Sequence, residues 1–324
     1  MALQLLLAQN TKMNIVVVGQ GAIGLLFYHF ISHTISSAVN STDSVTLSPS
    51  YPITNRQDTY HYTDIKGLTN KHILNYANDD EIKSAGIILL AVKSYQVRQA
   101  LVNLIPLIRP EAAIVLCHNG MGTLEELPEG LTKNHLIIAM LTTHGCLKDA
   151  PLKITHTGIG QIDFGIVDIK LINQPLSFSK LDKAIILKLE QRLTPASFHH
   201  NIIKRQWLKL AINCVINPLT AIYNIDNGAI NDKEYKDITR AVLAEIVLIA
   251  KTQGIDLKLN ILVDMVQKVA ESTSKNSSSM RCDLMDNKPT EIDYINGYIH
   301  RLGQINNINT PINSSLWQQI YQRH

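Results

Sequence analysis

Asn14-Ile15-Val16-Val17-Val18 leads directly into Gly19-Gln20-Gly21-Ala22-Ile23-Gly24, and the residues that follow are apolar with helical spacing. A continuous apolar strand, a glycine turn and a helix open a βαβ unit, which commits the chain to a parallel sheet covered by helices. The pattern G-x-G-x-x-G is common, and the strand before it and the helix after it give it meaning. There Gly19 makes the tight turn, Gly21 lets the backbone approach a pyrophosphate, and Gly24 permits close helix–strand packing. The helix N-terminus offers free N–H groups and the positive end of its dipole to phosphate. Gly19, Gln20, Gly21, Ala22, Ile23 and Gly24 are therefore candidate dinucleotide-binding residues.

Further apolar runs of strand length continue the sheet: Val45–Leu47, Gly86–Val92, Ala113–Cys117 and Leu136–Leu141. Residues 153–166 read as a late hairpin. After about residue 180 the texture turns helical, as in Ile230–Lys251 and Leu259–Ser274, and Thr194-Pro195-Ala196-Ser197 is the best boundary signal. The expected fold is α/β: a Rossmann-like doubly wound sheet over residues 1–196, followed by an all-helical domain over 197–324. Residues 1–12 are a possible extension, since they hold a short apolar patch without the basic start or cleavage site of a signal peptide.

Composition narrows the partners. The 30 basic and 27 acidic residues are spread along the chain, for a net charge of +3, with no basic block of the kind that binds nucleic acid. No apolar run approaches the roughly twenty residues that span a bilayer. Cys117, Cys146, Cys214 and Cys282 lie far apart without metal-finger spacing, so no metal site is expected. These features point to a cytoplasmic protein with reduced cysteines and a small-molecule ligand.

Lys209, Asn213 and Asn217 stand four residues apart within the apolar stretch Trp207–Thr220 and share one stripe of a helix. A cation and two amides in such surroundings are costly unless something answers them, which marks a candidate site. Pro218 either kinks this helix or ends it, because it cannot donate to the carbonyl of Cys214. Two strand-to-helix junctions add polar residues where ligands of such sheets sit: Val92-Lys93-Ser94-Tyr95-Gln96 and Cys117-His118-Asn119-Gly120-Met121-Gly122. Downstream, Thr290–Gly297 places two acids and an amide on a helix of mixed polarity, which alone reads as a solvated face.

Taken in order, the glycine motif, the Lys93 and Asn119 junctions, Leu208–Ile222, Ser278-Ser279-Met280 and Thr290–Gly297 resemble the ketopantoate reductase (2-dehydropantoate 2-reductase) family over about residues 14–300. The Lys209 and Glu291 segments carry most of that specificity. The resemblance implies a Rossmann domain that carries NADPH and a helical domain that carries the catalytic groups, with substrate in the cleft between them. It implies that Lys209 is the general acid and that Asn213, Asn217, Asn227, Asn276, Ser279 and Glu291 bind substrate. Lys93, Gln96 and Asn119 are implied to touch the cofactor or line its junction.

The chemistry suits these residue types. Reducing a ketone needs a hydride at carbon and a proton at the developing alkoxide, which a lysine can deliver. An apolar surround lowers a lysine pKa, whereas a nearby carboxylate raises it. The family pattern breaks at the end of the second strand, where Ser48 stands in place of the arginine many members use for the 2′-phosphate. No acid stands there for a ribose 2′-OH, and Arg56 follows, which tilts the expectation toward NADP. The expected protein is a monomer or homodimer that makes pantoate for coenzyme A synthesis. The alternatives are a reductase of another 2-oxo acid and a non-catalytic NADP-binding sensor.

Overall fold

The computed structural model of the protein describes residues 12–39, 41–49, 55–167 and 179–323. The suggested extension therefore lies outside the described residues, apart from Lys12. The chain divides into two compact units, one of residues up to His118 with Glu126–Ile202, the other of Asn119–Glu125 with residues from Ile203 onward.

In the first unit, strands β1 (Asn14–Val18), β2 (Ser44–Ser48), β5 (Ile87–Leu90), β6 (Ala113–Leu116) and β7 (Ile137–Thr142) are parallel neighbours, in the spatial order β7-β6-β5-β1-β2. Ile87–Leu90 and Ala113–Leu116 are buried along their whole length, which is why these strands read as unbroken apolar runs. Strand β10 (Ile162–Ile166) adds antiparallel to β7, and β11 (Ala196–Phe198) pairs parallel with β10. Helices α1 (Ala22–Ser37), α2 (Asp79–Ser84), α3 (Val97–Leu104), α4 (Leu131–Asn134) and α5 (Lys180–Arg192) complete the unit.

A second sheet has the order β4-β3-β9-β8, from β3 (Gln57–Thr63), β4 (Thr69–Asn75), β8 (Gly145–Ala150) and β9 (Lys153–Gly158). It corrects the expected hairpin: residues 153–158 pair back with 145–150, whereas 162–166 join the main sheet. The division between units also falls at 202/203 rather than 196/197. Past residue 196 the chain still belongs to the sheet, since β11 pairs with β10 and the His199 N–H bonds the Phe164 carbonyl at 2.8 Å.

Helix α1 touches strands of both sheets, and a neutral aromatic and histidine layer fills one side of it. The His29 ring stacks on Tyr62 at 3.7 Å and its Nδ1 lies 2.9 Å from the Tyr60 hydroxyl. The Gly160 N–H donates to His144 Nδ1 at 3.2 Å, so that nitrogen carries no proton. His156 Nε2, 3.0 Å away, must then donate to it, which leaves His156 Nδ1 to accept from the Tyr62 hydroxyl at 3.1 Å. Burial, reinforced by His72, His33 and His156, holds His29 down at about 4. Burial and the neighbouring His156 do the same to His144, also to about 4.

In the unfolded chain these rings titrate near 6.5, so the unfolded state binds more protons below that pH. Stability contributed by the layer is complete above about pH 6.5 and is lost as pH falls toward 4. His29 and His144 together should cost the first unit on the order of 3 kcal/mol between pH 7 and pH 5. Urea unfolding at the two pH values measures this. An unfolding free energy that stays level would refute it, and His144→Gln should flatten the slope.

The second unit is helical: α6 (Ile202–Tyr223), α7 (Lys236–Thr252), α8 (Leu259–Ser272), α9 (Ser279–Met285), α10 (Asn296–Ile305) and α11 (Pro311–Tyr321). Its core gathers one apolar face from each long helix, including Trp207, Val215, Ile246, Val266, Ile299 and Ile320. The stretch Ile230–Lys251 is interrupted by short 3-10 turns before α7 begins at Lys236.

Candidate active site

The turn after β1 meets the requirements of a dinucleotide loop one residue at a time. Gly19 has φ +115°, and a Cβ there would stand 2.5 Å from the Ala91 carbonyl oxygen at the end of β5. A Cβ on Gly24 would stand 2.0 Å from the Gly19 carbonyl oxygen, so the helix can approach only with glycine at that position. Gly21, by contrast, has open space where a Cβ would be, and no atom lies within 4 Å. Gly21 is also the N-cap of α1, without a side-chain cap and with no acid in the first turn. The N–H groups of Ala22 and Ile23 thus open a helix end suited to a pyrophosphate, and the residues present fit the implied cofactor.

Strands β2 and β5 flank β1 on opposite sides, so this turn lies where the strand order reverses. Lys93, half-buried, and Gln96, exposed, follow β5 at that edge, and the Lys93 N–H bonds Gln96 Oε1 at 3.2 Å. The sequence reading missed one residue here. Lys148, on β8, places Nζ 2.7 Å from the Gln20 carbonyl, which sets a positive charge against the turn. No motif marks it, because only the second sheet brings residue 148 back to residue 20.

In the second unit, Lys209, Asn213 and Asn217 share one stripe of α6. Lys209 and Asn213 are half-buried and Asn217 is buried, amid Leu210, Ala211, Cys214 and Val215. The helix continues through Pro218 to Tyr223, so it does not end there. Glu291 is buried and sits on the turn before Ile292–Tyr294, with α10 starting only at Asn296, which corrects the expectation of one helix across this segment. Its two carboxylate oxygens accept from the Asn119 N–H at 3.3 Å and from Asn119 Nδ2 at 3.1 Å. The Met121 N–H bonds the Tyr294 carbonyl at 2.7 Å, so residues 119–125 pack with the Glu291 segment. A residue assigned to the cofactor and one assigned to substrate are therefore direct partners.

The remaining candidates cluster around a loop. Asn227 is buried; its N–H bonds the Asn276 carbonyl at 3.0 Å, and its Nδ2 donates to Thr273 Oγ1 at 3.0 Å. Asn276 and Ser279 are exposed. The neighbouring Ser278 is buried, caps α9 by accepting from the Arg281 N–H at 3.1 Å, and meets Thr220 Oγ1 at 2.7 Å, three residues past Asn217. Among the described residues, no group of three or more His, Cys, Asp or Glu side chains could hold a metal, and no helix is long and apolar enough to cross a membrane.

Residues 15–168 match the family described as ketopantoate reductase PanE/ApbA, and residues 201–324 match its C-terminal domain. The 2-dehydropantoate 2-reductase of Vibrio cholerae is 35% identical over 314 residues, which covers 95% of this chain and 97% of that one. Among solved structures, the 2-dehydropantoate 2-reductase of Geobacter metallireducens has a TM-score of 0.79 at 20% identity, covering 96% of this chain and 100% of that one. A ternary structure of D-mandelate dehydrogenase with NADH and anilino(oxo)acetate has the same score at 20% identity, covering 96% and 98%. At that identity the two structures speak for the fold. The family models and the Vibrio relative go further: this chain belongs to the ketopantoate reductase family.

Proposed function

We propose that this protein reduces ketopantoate to pantoate with NADPH, with Lys209 as the general acid. The observation that carries the reading is the Lys209–Asn213–Asn217 stripe on a buried helix, in the same unit as a buried Glu291 held by Asn119. The cofactor, when bound, supplies the hydride. Lys209 would hold a proton for the developing alkoxide and favour its negative charge beforehand. Asn213 and Asn217 would bond the substrate's carboxylate and hydroxyl without adding charge. Glu291, an acceptor on both oxygens, suits the hydroxyl of the substrate's hydroxymethyl arm. Asn276 and Ser279 would complete the substrate side, and Asn227 supports it by holding the 273–276 loop. Purified protein should consume NADPH only when ketopantoate is added. No consumption would sink the reading, and equal kcat/KM for unbranched 2-oxo acids would move it to a different substrate.

For NADPH over NADH the supporting residue is Arg56. Its guanidinium donates to the Glu81 carboxylate and, at 3.2 Å, to the Tyr76 carbonyl. Tyr76 bridges Leu47, and the Ala77 N–H bonds the Leu47 carbonyl at 2.9 Å, so Arg56 is held beside the carboxyl end of β2. That is where a 2′-phosphate would be read, and Arg56 would serve in place of the arginine that Ser48 replaces. Charge-assisted bonds to phosphate contribute about 1.5–3 kcal/mol. Arg56→Ala should therefore lower kcat/KM for NADPH by about 10- to 100-fold and leave NADH nearly untouched. An unchanged NADPH/NADH ratio would rule Arg56 out.

A further inference from the structure

Pro218 leaves a gap in α6. A proline has no N–H, so the Cys214 carbonyl loses the donor it would have one turn on. Cys214 is fully buried, and water cannot replace that donor. The gap is filled from elsewhere in the chain: Asn296 Nδ2, itself at 0% exposure, donates to the Cys214 carbonyl at 3.0 Å. The missing rung runs from residue 214 to residue 218, in the turn that separates Asn213 from Asn217.

The direction of the Asn296 amide is imposed by a chain of partners. The Glu245 carboxylate can only accept, and it takes the Ile312 N–H at 2.8 Å, the Asn313 N–H at 2.9 Å and Asn313 Nδ2 at 2.7 Å. With its Nδ2 turned to Glu245 and to the Val242 carbonyl at 3.2 Å, Asn313 must offer Oδ1 to Asn296. Asn296 Nδ2 meets that oxygen at 3.0 Å with one hydrogen and Cys214 with the other. Both its donors are used, whereas its Oδ1 is buried without a hydrogen-bond partner among the described residues. An apolar side chain would remove that orphaned oxygen but leave the buried Cys214 carbonyl and Asn313 Oδ1 without their donor, so the asparagine is explained by its two hydrogens rather than by its packing. Asn296 also begins α10, five residues after Glu291.

We propose that Asn296 is a positioning residue of the reduction: seated in the gap opened by Pro218, it fixes the turn between Asn213 and Asn217 and ties that turn to the segment bearing Glu291. Glu245 and Asn313 hold Asn296 in register from behind. This rests on the proposed substrate roles of Asn213, Asn217 and Glu291. Displacing a substrate clamp by about 1 Å can cost on the order of 10²-fold in rate.

The test compares four full-length proteins: the parent, Asn296→Leu, Pro218→Ala, and the double variant. The parent's ketopantoate turnover is measured first, and a parent that does not turn ketopantoate over disproves the functional reading itself. With an active parent, Asn296→Leu should lose about 10- to 100-fold in kcat/KM for ketopantoate while its Kd for NADPH stays within about twofold. Pro218→Ala restores an N–H for Cys214. The double variant should therefore lie within about threefold of Pro218→Ala alone, the non-additivity expected of two sites coupled through one shared partner, the Cys214 carbonyl. A merely structural asparagine would lower Tm and leave both constants in place, which would overturn the proposal. It is equally overturned if removing Asn296 costs as much in the alanine background as in the proline one. Should Asn296→Leu not fold, the double variant against Pro218→Ala still decides between these outcomes.

Discussion

Lys209→Ala is expected to lower kcat for ketopantoate reduction by about 10²–10⁴-fold, the usual contribution of a positioned general acid. Binding of NADPH should persist, because apart from Asn119 the residues proposed to hold it lie in the other unit, on the turn after β1 and the junction after β5. Lys209→Arg should not rescue the rate. A guanidinium stays protonated throughout the accessible pH range and cannot give up its proton, although it keeps the charge. The separation of the two effects is the informative part. Turnover within about threefold of the parent would remove Lys209 from the chemistry, whereas lost NADPH binding would show that the variant damages more than proton transfer. A protein that only senses the nucleotide would be indifferent to the substitution.

The largest expected effect on stability is at Asp43. Its buried carboxylate accepts from Lys188 Nζ at 2.9 and 3.1 Å, from Arg192 Nε at 3.0 Å and Nη2 at 2.6 Å, and from the Met13 N–H at 2.9 Å. Arg192 also donates to the Thr34 carbonyl at 3.2 Å and to Ser41 Oγ at 2.8 Å. Asp43, the residue before β2, thus ties the chain entering β1 to α5, and Arg192 carries the link on to the last turn of α1. Burial alone would push the Asp43 carboxyl up, but hydrogen bonds from Lys188, Arg192 and Met13 outweigh it and hold it below the usual range. Asp43→Asn leaves two buried cations without that charge and should destabilise the first unit by about 3–5 kcal/mol. Urea unfolding followed by circular dichroism measures it, and a loss below about 1 kcal/mol would show that the cluster is dispensable. In the parent, this contribution is present above the ordinary carboxylate range and is lost as pH falls through the lowered Asp43 value. It therefore lies on the acid side of the histidine effect, and the two are separable by pH.

What could be read from the sequence follows what lies buried. Strands β1, β5, β6 and β7 are apolar on both faces and declare themselves, as does the polar line of Lys209, Asn213 and Asn217 within an apolar helix. Strands β3 and β4 do not, because Gln57–Thr63 and Thr69–Asn75 bury little beyond Tyr60 and Leu74. Their turn depends on Asp64, which accepts from the N–H groups of Lys66 and Leu68, each at 2.9 Å. Lys148 was illegible for the same reason, as its partner lies 128 positions away. Asn296 was hidden differently. Beside Asp293 and Tyr294 it resembles a solvated face, and only the Cys214 carbonyl, 82 positions earlier, gives it a purpose. Pro218 did point to that carbonyl from sequence; its new donor could not be guessed.

The seven residues Asn119–Glu125 are encoded inside the nucleotide-binding half, yet they are built into the helical unit. The polypeptide therefore passes from one unit to the other three times, and no single cut separates them. A chimera of two homologous reductases spliced near residue 202 would set one parent's Asn119 and Met121 against the other's Glu291 and Tyr294. Gene fusion at the apparent border would thus exchange the bulk of a domain while leaving a short insert of foreign origin at its proposed substrate side. Recombination within the family is expected to keep the 119–125 and 291–301 segments in common descent, or to lose the Glu291 contact when it does not.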